Sequence, residues 1–262
     1  MPVKTTEKLN IIFKPDKFID IVSKLDDLTR ISDTLKLKID SEDILIYSIM
    51  GTENMVMAFK GYTLKTSDYI NIESIDYTLN IIITSAKKFV KNLAFIKTTE
   101  KILMEVNHRP DDSGDSSDTR LAIIKNAKFK IQIQTGENSE IRDLNKTMLS
   151  QRMNLKNKLW SFKTSNSDFS DVKKLSSINS DDSRKVLHLD IKDKKVVLSE
   201  VSLWELEVDE VEEENKHLIF NKGYLSSIND NGGDIHFHVF ETFILIKDEI
   251  SNLMISFETT FD

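Results

Sequence analysis

Apolar and polar residues alternate along much of this chain: in LKLKID at 35–40, DILIYSI at 43–49, KFKIQIQT at 128–135, LWELEV at 203–208 and DIHFHVFE at 234–241. A period of two places one set of side chains on each face of a strand, so these runs predict strands with one face buried. Four stretches break the alternation and carry helical spacing instead. PDKFIDIVSKLDDL, 15–28, begins with a proline suited to a first helical position and stacks Phe18, Val22 and Leu25 on one stripe. Thr84 and Ser85 can cap a second helix in which Ala86, Phe89, Val90 and Leu93 share a face. Ser167 can cap a third, SDFSDVKKLSSI, with Phe169, Val172 and Leu175 inward, and NKGYLSSI at 221–228 makes a short fourth.

Placed in order, these elements read as helix, about four strands, helix, about three strands, and then the same series again. Local sequence agrees: Phe13-Lys14 precedes Phe18-x-Asp20-Ile21 as Phe162-Lys163 precedes Phe169-x-Asp171-Val172, and Lys-Leu follows at 24–25 and 174–175. Two similar domains are therefore expected, 1–136 and 160–262, joined by a connector at 137–159. The connector lacks alternation, is basic through Arg142, Lys146, Arg152, Lys156 and Lys158, and is more apolar than a plain linker. RPDDSGDSSDT, 109–119, reads as a solvated hairpin loop.

Length and composition bound the chemistry. With 262 residues the chain has room for one large domain or two smaller ones, and 39% apolar residues suffice for a core. The absence of cysteine removes disulfides, thiolate metal sites and cysteine nucleophiles together. The first residues carry no apolar leader-like run, and no stretch approaches the ~20 apolar residues of a membrane span. A soluble protein of the cytoplasm (the host cytoplasm, for a viral protein) is expected, without membrane contact.

Charge is distributed unevenly. The chain carries −7, yet the windows 14–25, 85–97, 162–175 and 218–228 together carry +7, which leaves −14 for the remainder. Window 85–97 has four lysines and no acid. At ~100° per residue, Lys87, Lys88 and Lys91 fall roughly opposite the Phe89, Val90 and Leu93 stripe. For one helix this is an ordinary solvated face; four positive helices in an acidic chain suggest a polyanionic partner.

The doubled order, the stretch FKTSNSDFSDVKKLSSI opening the second half, and the ending IFNKGYLSSI, FHVFETFILIKDE, LMISFETTFD together resemble a DNA polymerase sliding clamp of the type with two domains per chain. Bacteriophage clamps and proliferating cell nuclear antigen are of this type. The resemblance covers nearly the whole chain and implies an α+β fold of two similar domains, each with curved antiparallel sheets and two helices on an inner face. It further implies a homotrimeric ring of six domains that encircles duplex DNA without sequence preference. Such a ring tethers the replicative DNA polymerase and is placed on DNA by a separate clamp loader. It implies no enzyme activity, cofactor or metal. Carried over by position, the DNA-facing residues are Lys17, Lys24, Lys87, Lys88, Lys91, Lys173, Lys174 and Lys222. The partner-binding residues are Met148, Leu149, Met153, Leu155, Phe257 and Phe261. In relatives a late strand of domain one pairs with a strand of the neighbour's domain two, which points to KFKIQIQT and SLWELEV, the latter with Trp204, Leu206 and Val208 inward and Glu205 and Glu207 outward.

Other signals are weaker. His236 and His238 alternate on one strand at a metal-like spacing but lack a companion acid or third histidine, and NDNGGD at 229–234 lacks a calcium loop's full ligand series and reads as a turn. No glycine-rich phosphate loop and no Gly-x-Ser-x-Gly appears. A β-rich structural or carbohydrate-binding module with no DNA role is the alternative reading.

Overall fold

The alternating runs form strands and the four exceptions form helical turns. The computed structural model of the chain describes residues 6–51, 56–73, 75–96, 99–111, 113–137, 140–141, 154–178, 186–200, 204–212, 215–228, 233–247 and 252–257. The chain divides into two compact units, Met1–Ile49 with Gly61–Asp143, and Met50–Lys60 with Leu144–Asp262.

The chain opens with β1 (Glu7–Phe13), α1 (Pro15–Leu28), β2 (Leu35–Ile39), β3 (Asp43–Gly51) and β4 (Val56–Lys65), all in the first unit except residues 50–51 of β3 and 56–60 of β4, which belong to the second. A helical turn, α2 (Thr66–Tyr69), and β5 (Ile70–Ile72) precede β6 (Thr78–Ile83), α3 (Ala86–Leu93), β7 (Ile102–Pro110), β8 (Ser116–Lys125) and β9 (Lys130–Ile133). The second unit contains β10 (Trp160–Thr164), α4 (Asn166–Ile178), β11 (Val186–Lys192), β12 (Lys195–Glu200), β13 (Trp204–Glu210) and β14 (Lys216–Asn221). A 3-10 helix (Lys222–Ser227), β15 (Ile235–Val239), β16 (Phe243–Lys247) and β17 (Asn252–Ser256) complete it.

The expected duplication holds at the level of strand pairing. Antiparallel β1–β7, β7–β8 and β8–β9 in the first unit have their counterparts in β10–β15, β15–β16 and β16–β17 in the second. Likewise β2 lies between β3 and β6 as β11 lies between β12 and β14. The architecture is α+β and mostly antiparallel; β6 and β8 pair in parallel. The α2–β5 segment, which pairs with β1, has no described equivalent in the second unit.

Packing explains where local rules held. Phe18, Ile21, Leu25 and Leu28 of α1 and Ala86, Phe89, Val90 and Leu93 of α3 join one core with the inward residues of β1, β2, β6 and β7. In the second unit Phe162, Phe169 and Phe237 form a run of ring contacts at 4.6 and 5.7 Å. Three expectations are corrected. Leu175 of α4 is exposed instead of buried. The cap of α4 is Ser165, whose Oγ accepts from the Asp168 amide at 3.2 Å, and not Ser167. The hairpin loop is shorter than 109–119, because Asp111 ties it: its carboxylate accepts from the Gly114 amide at 2.7 Å and from the Ser113 and Ser116 hydroxyls at 2.9 and 2.6 Å. Those bonds to Ser116, Ser113 and the Gly114 amide outweigh slight burial and hold the Asp111 pKa down at about 2.

Candidate nucleic-acid interface and strand edges

Helix α3 is the basic element with the simplest geometry. Its four core residues are at most 5% exposed, while Lys87, Lys88 and Lys91 are exposed. Burying Phe89, Val90 and Leu93 contributes roughly 1.5–3 kcal/mol each, enough to hold so short a helix against the sheet. Its start is fixed from outside. Ser85 adopts a left-handed φ of 54° and makes no side-chain cap bond. Asp33, on the turn after α1, does so instead: its carbonyl accepts from the Ala86 amide at 2.9 Å and its Oδ1 from the Lys87 amide at 2.7 Å. A carboxylate there also complements the helix dipole. Neither Thr84 nor Ser85 supplies the side-chain cap that the sequence suggests; Thr84 Oγ1 donates to the Gln134 carbonyl at 3.0 Å. No ion pair engages the three lysines among the described residues.

The other candidate lysines are committed elsewhere. Lys24 is 8% exposed, donates to Asp20 one turn back and lies 5.6 Å from the centre of the Tyr62 ring. Lys17 stands over the Tyr69 ring at 5.9 Å. Burial works against charge on Asp20, but hydrogen bonds from Lys24 and Tyr69 prevail and hold its pKa below the ordinary value. Burial and that same bond push Tyr69 up to about 12. On α4, Lys173 Nζ donates to the Ile228 carbonyl at 2.7 Å, and Lys174 pairs with Asp171 at 3.0 Å while staying exposed. Lys222 is buried in an ion pair with Glu200, their side chains 4% and 6% exposed. Lys24 and Lys222 therefore leave the phosphate-facing set, because their ammonium groups are engaged inside the fold. Nothing near Lys222 in sequence reveals this, since its partner lies 22 residues away.

The two segments expected to pair across neighbouring chains each form a strand with one partner among the described residues. Strand β9 pairs with β8 on one side only, and β13 is the end strand of the order β13-β12-β11-β14. On β13, Glu205 and Glu207 are exposed and Trp204, Leu206 and Val208 half-buried, the expected alternation. Within the second unit, β17 lies beside the Val56–Lys60 part of β4, and Ser256 Oγ donates to the Val56 carbonyl. Of the partner-binding set, Leu155 is 36% exposed on a 3-10 turn capped by Asn154. Phe257 is half-buried, bridges to Phe220 and donates its amide to the Thr242 carbonyl at 3.0 Å. Met148, Leu149, Met153 and Phe261 lie outside the described residues, as does most of NDNGGD.

The His236 and His238 rings stack at 6.3 Å, His236 exposed and His238 buried. Burial first, then Lys158, Lys247 and His236, lower His238 from 6.5 to about 4. His108, 1% exposed and bonded to Ser117 at 2.6 Å and Tyr77 at 3.1 Å, is lowered mainly by burial. Both shifts are downward, so the folded state refuses protons that the unfolded chain accepts. Stability is full above pH 6.5 and declines as pH falls towards the folded value, near 4 for His238. Each histidine contributes a slope of up to about 1.4 kcal/mol per pH unit in that window. Urea unfolding across this range should show the decline, and His238→Gln should reduce it; an unaltered pH dependence would count against a neutral buried His238.

No protein-family model matches the sequence, and no curated protein matches it either. The fold, however, is that of DNA polymerase sliding clamps. The chain is similar to a Helicobacter pylori beta clamp bound to a DNA ligase peptide, with a TM-score of 0.64 at 15% identity, covering 99% of this chain and 67% of that one. It is similar to the DNA polymerase sliding clamp of Bacillus subtilis, with a TM-score of 0.65 at 9% identity over 98% of this chain and 66% of that one. A PCNA2–PCNA3 complex from Sulfolobus tokodaii is matched with a TM-score of 0.60 at 11% identity over 96% of this chain and 99% of that chain. The chain thus spans about two thirds of the bacterial clamps and the whole of the archaeal one. Among the described residues, no helix is long and apolar enough to cross a membrane.

Proposed function

We propose that this protein is a processivity factor: a homotrimeric ring that encircles duplex DNA and tethers a replicative polymerase, with no catalytic role of its own. The observation that carries the reading is the repeated clamp unit in which β9 and β13 lack the neighbour that their counterparts β17 and β4 have in each other. By the order of the repeat, β9 corresponds to β17 and β13 to β4. Strands β17 and β4 are neighbours, whereas β9 and β13 each lack a second partner among the described residues. Head-to-tail association would add β9 of one copy to β13 of the next, repeating the β17–β4 arrangement between chains and removing edges that invite aggregation. A six-domain ring made from a two-domain chain needs three copies.

The α3 lysines supply the DNA contact in this reading. Flexible ammonium groups meet phosphates without reading bases, so the energy changes little as the duplex slides, and binding weakens steeply with salt. Lysine suits this better than arginine, whose planar fork fixes a phosphate in one geometry. The acidic remainder steers DNA away from other surfaces. A clamp loader opens the ring, and partner peptides dock near the connector and C-terminal residues, where Leu155 and Phe257 lie. The working location is the cytoplasm.

Native mass tests the assembly. At micromolar concentration the particle should have three times the 30.2 kDa of one chain, and projection images should show six lobes around a hole wide enough for duplex DNA. A strictly monomeric or dimeric particle would overturn the trimer.

A further inference from the structure

On the exposed face of the second unit's four-stranded sheet, His188, Asp190 and His217 form a connected cluster that the clamp reading does not use. His188 and Asp190 sit two apart on β11 and so share a face, and His217 of β14 is the cross-strand partner of Asp190. Asp190 Oδ1 accepts from His217 Nδ1 at 2.5 Å, which leaves His217 Nε2 turned towards His188 Nδ1 at 3.1 Å. A single proton therefore lies between two imidazole nitrogens, and an outer carboxylate fixes the ring of one of them. That is the arrangement by which proteins orient a metal-bound histidine.

We propose that His188 and His217 chelate a borderline divalent transition metal, zinc foremost, with Asp190 as the carboxylate that orients His217. A tetrahedral zinc with Zn–N bonds of about 2.0–2.1 Å separates two ligand nitrogens by about 3.3 Å, close to the gap already present. The metal takes the place of the shared proton, which moves to the far nitrogen of the His188 ring, so each neutral imidazole keeps one proton and His217 Nδ1 keeps its bond to Asp190. Two lysines share this face, Lys192 beside Asp190 on β11 and Lys195 opposite it on β12, the latter paired with Glu207 at 2.9 Å. The His217 side chain is 49% exposed, so water or a partner's side chain can complete the coordination shell. Among the described residues no cluster of three or more metal-ligating side chains occurs, which makes this a two-nitrogen chelate and not a closed structural site.

The test is a titration of the untagged full-length chain with Zn2+ near neutral pH, followed by calorimetry in two buffers of different protonation enthalpy. Saturable binding of one equivalent per chain is expected, the two buffers reporting any proton that the pair gives up. His188→Gln and His217→Gln should each abolish it, Asp190→Asn should weaken it by about 10–100-fold, and His236→Gln should leave it unchanged. Proton NMR of the histidine rings gives a second reading, with His188 and His217 shifting first. No saturable binding, or binding that survives His188→Gln, would overturn the site. The result bears on the chelate alone, whatever the oligomeric mass proves to be.

Discussion

Replacing Lys87, Lys88 and Lys91 together with Glu should reduce retention on closed circular DNA on the order of 100-fold while leaving the particle's mass and fold unchanged. The basis is geometric: the three side chains are exposed, while Ala86, Phe89, Val90 and Leu93 face the core. Surface changes of this kind usually alter stability by no more than about 0.5 kcal/mol each, and Glu is nearly as good a helix former as Lys. Electrostatically the effect is large, because each chain exchanges three phosphate contacts for three repulsions. Loss should be steepest at low salt, and the salt dependence of the variant should flatten. Retention at the wild-type level at low salt would sink this assignment. Lys24→Gln serves as a contrast: its ammonium is held by Asp20 and Tyr62, so it should cost stability more than DNA binding.

The second large effect is expected at the buried pair of Lys222 and Glu200. Removing one partner leaves an uncompensated charge in a site where both side chains are at most 6% exposed. Lys222→Met should therefore destabilise the second unit by about 3–5 kcal/mol, whereas the double replacement of Lys222 and Glu200 by Met should recover most of that loss. Among the described residues Glu200 Oε2 has no hydrogen-bond partner, so Lys222 is the donor that the carboxylate is seen to use. Urea unfolding, followed by probes assigned to each unit, measures the difference. If Lys222→Met lies within about 1 kcal/mol of wild type, Glu200 is neutral or hydrated and the pair has been misread. Should Lys222→Met fail to fold, a well-folded double variant supports the same uncompensated charge.

What the sequence revealed, and what it hid, divides by range. Helix α1 was legible to the residue, Pro15–Leu28, because its start is a proline and its face is periodic. The core stripe of α3 was legible for the same reason. Its cap was not: Asp33 lies 54 residues from Lys87, and no local rule joins them. The fourth helix was found as an element, yet a run of only six residues between β14 and β15 closes as 3-10 turns. Charge counting placed Lys222 and Lys24 beside Lys87 as equals, since formal charge is blind to burial. Only packing distinguishes an ammonium that faces water from one locked onto Glu200 or Asp20. The sheet cluster of His188, Asp190 and His217 was equally hidden, because β11 and β14 bring together residues 27 apart.

The unequal helices of the two units bear on the symmetry of the field inside a closed ring. In the first unit α3 presents three exposed lysines, while in the second the matching 3-10 helix holds its one lysine, Lys222, inside the fold. In the trimer proposed above, the α3 cluster would occur three times, once per chain. A duplex inside such a trimer would meet three equivalent cationic clusters and could lean towards any of them. Such a threefold field does not divide evenly into the helical repeat of B-DNA, so no single rotation of the ring is favoured at every position along the duplex.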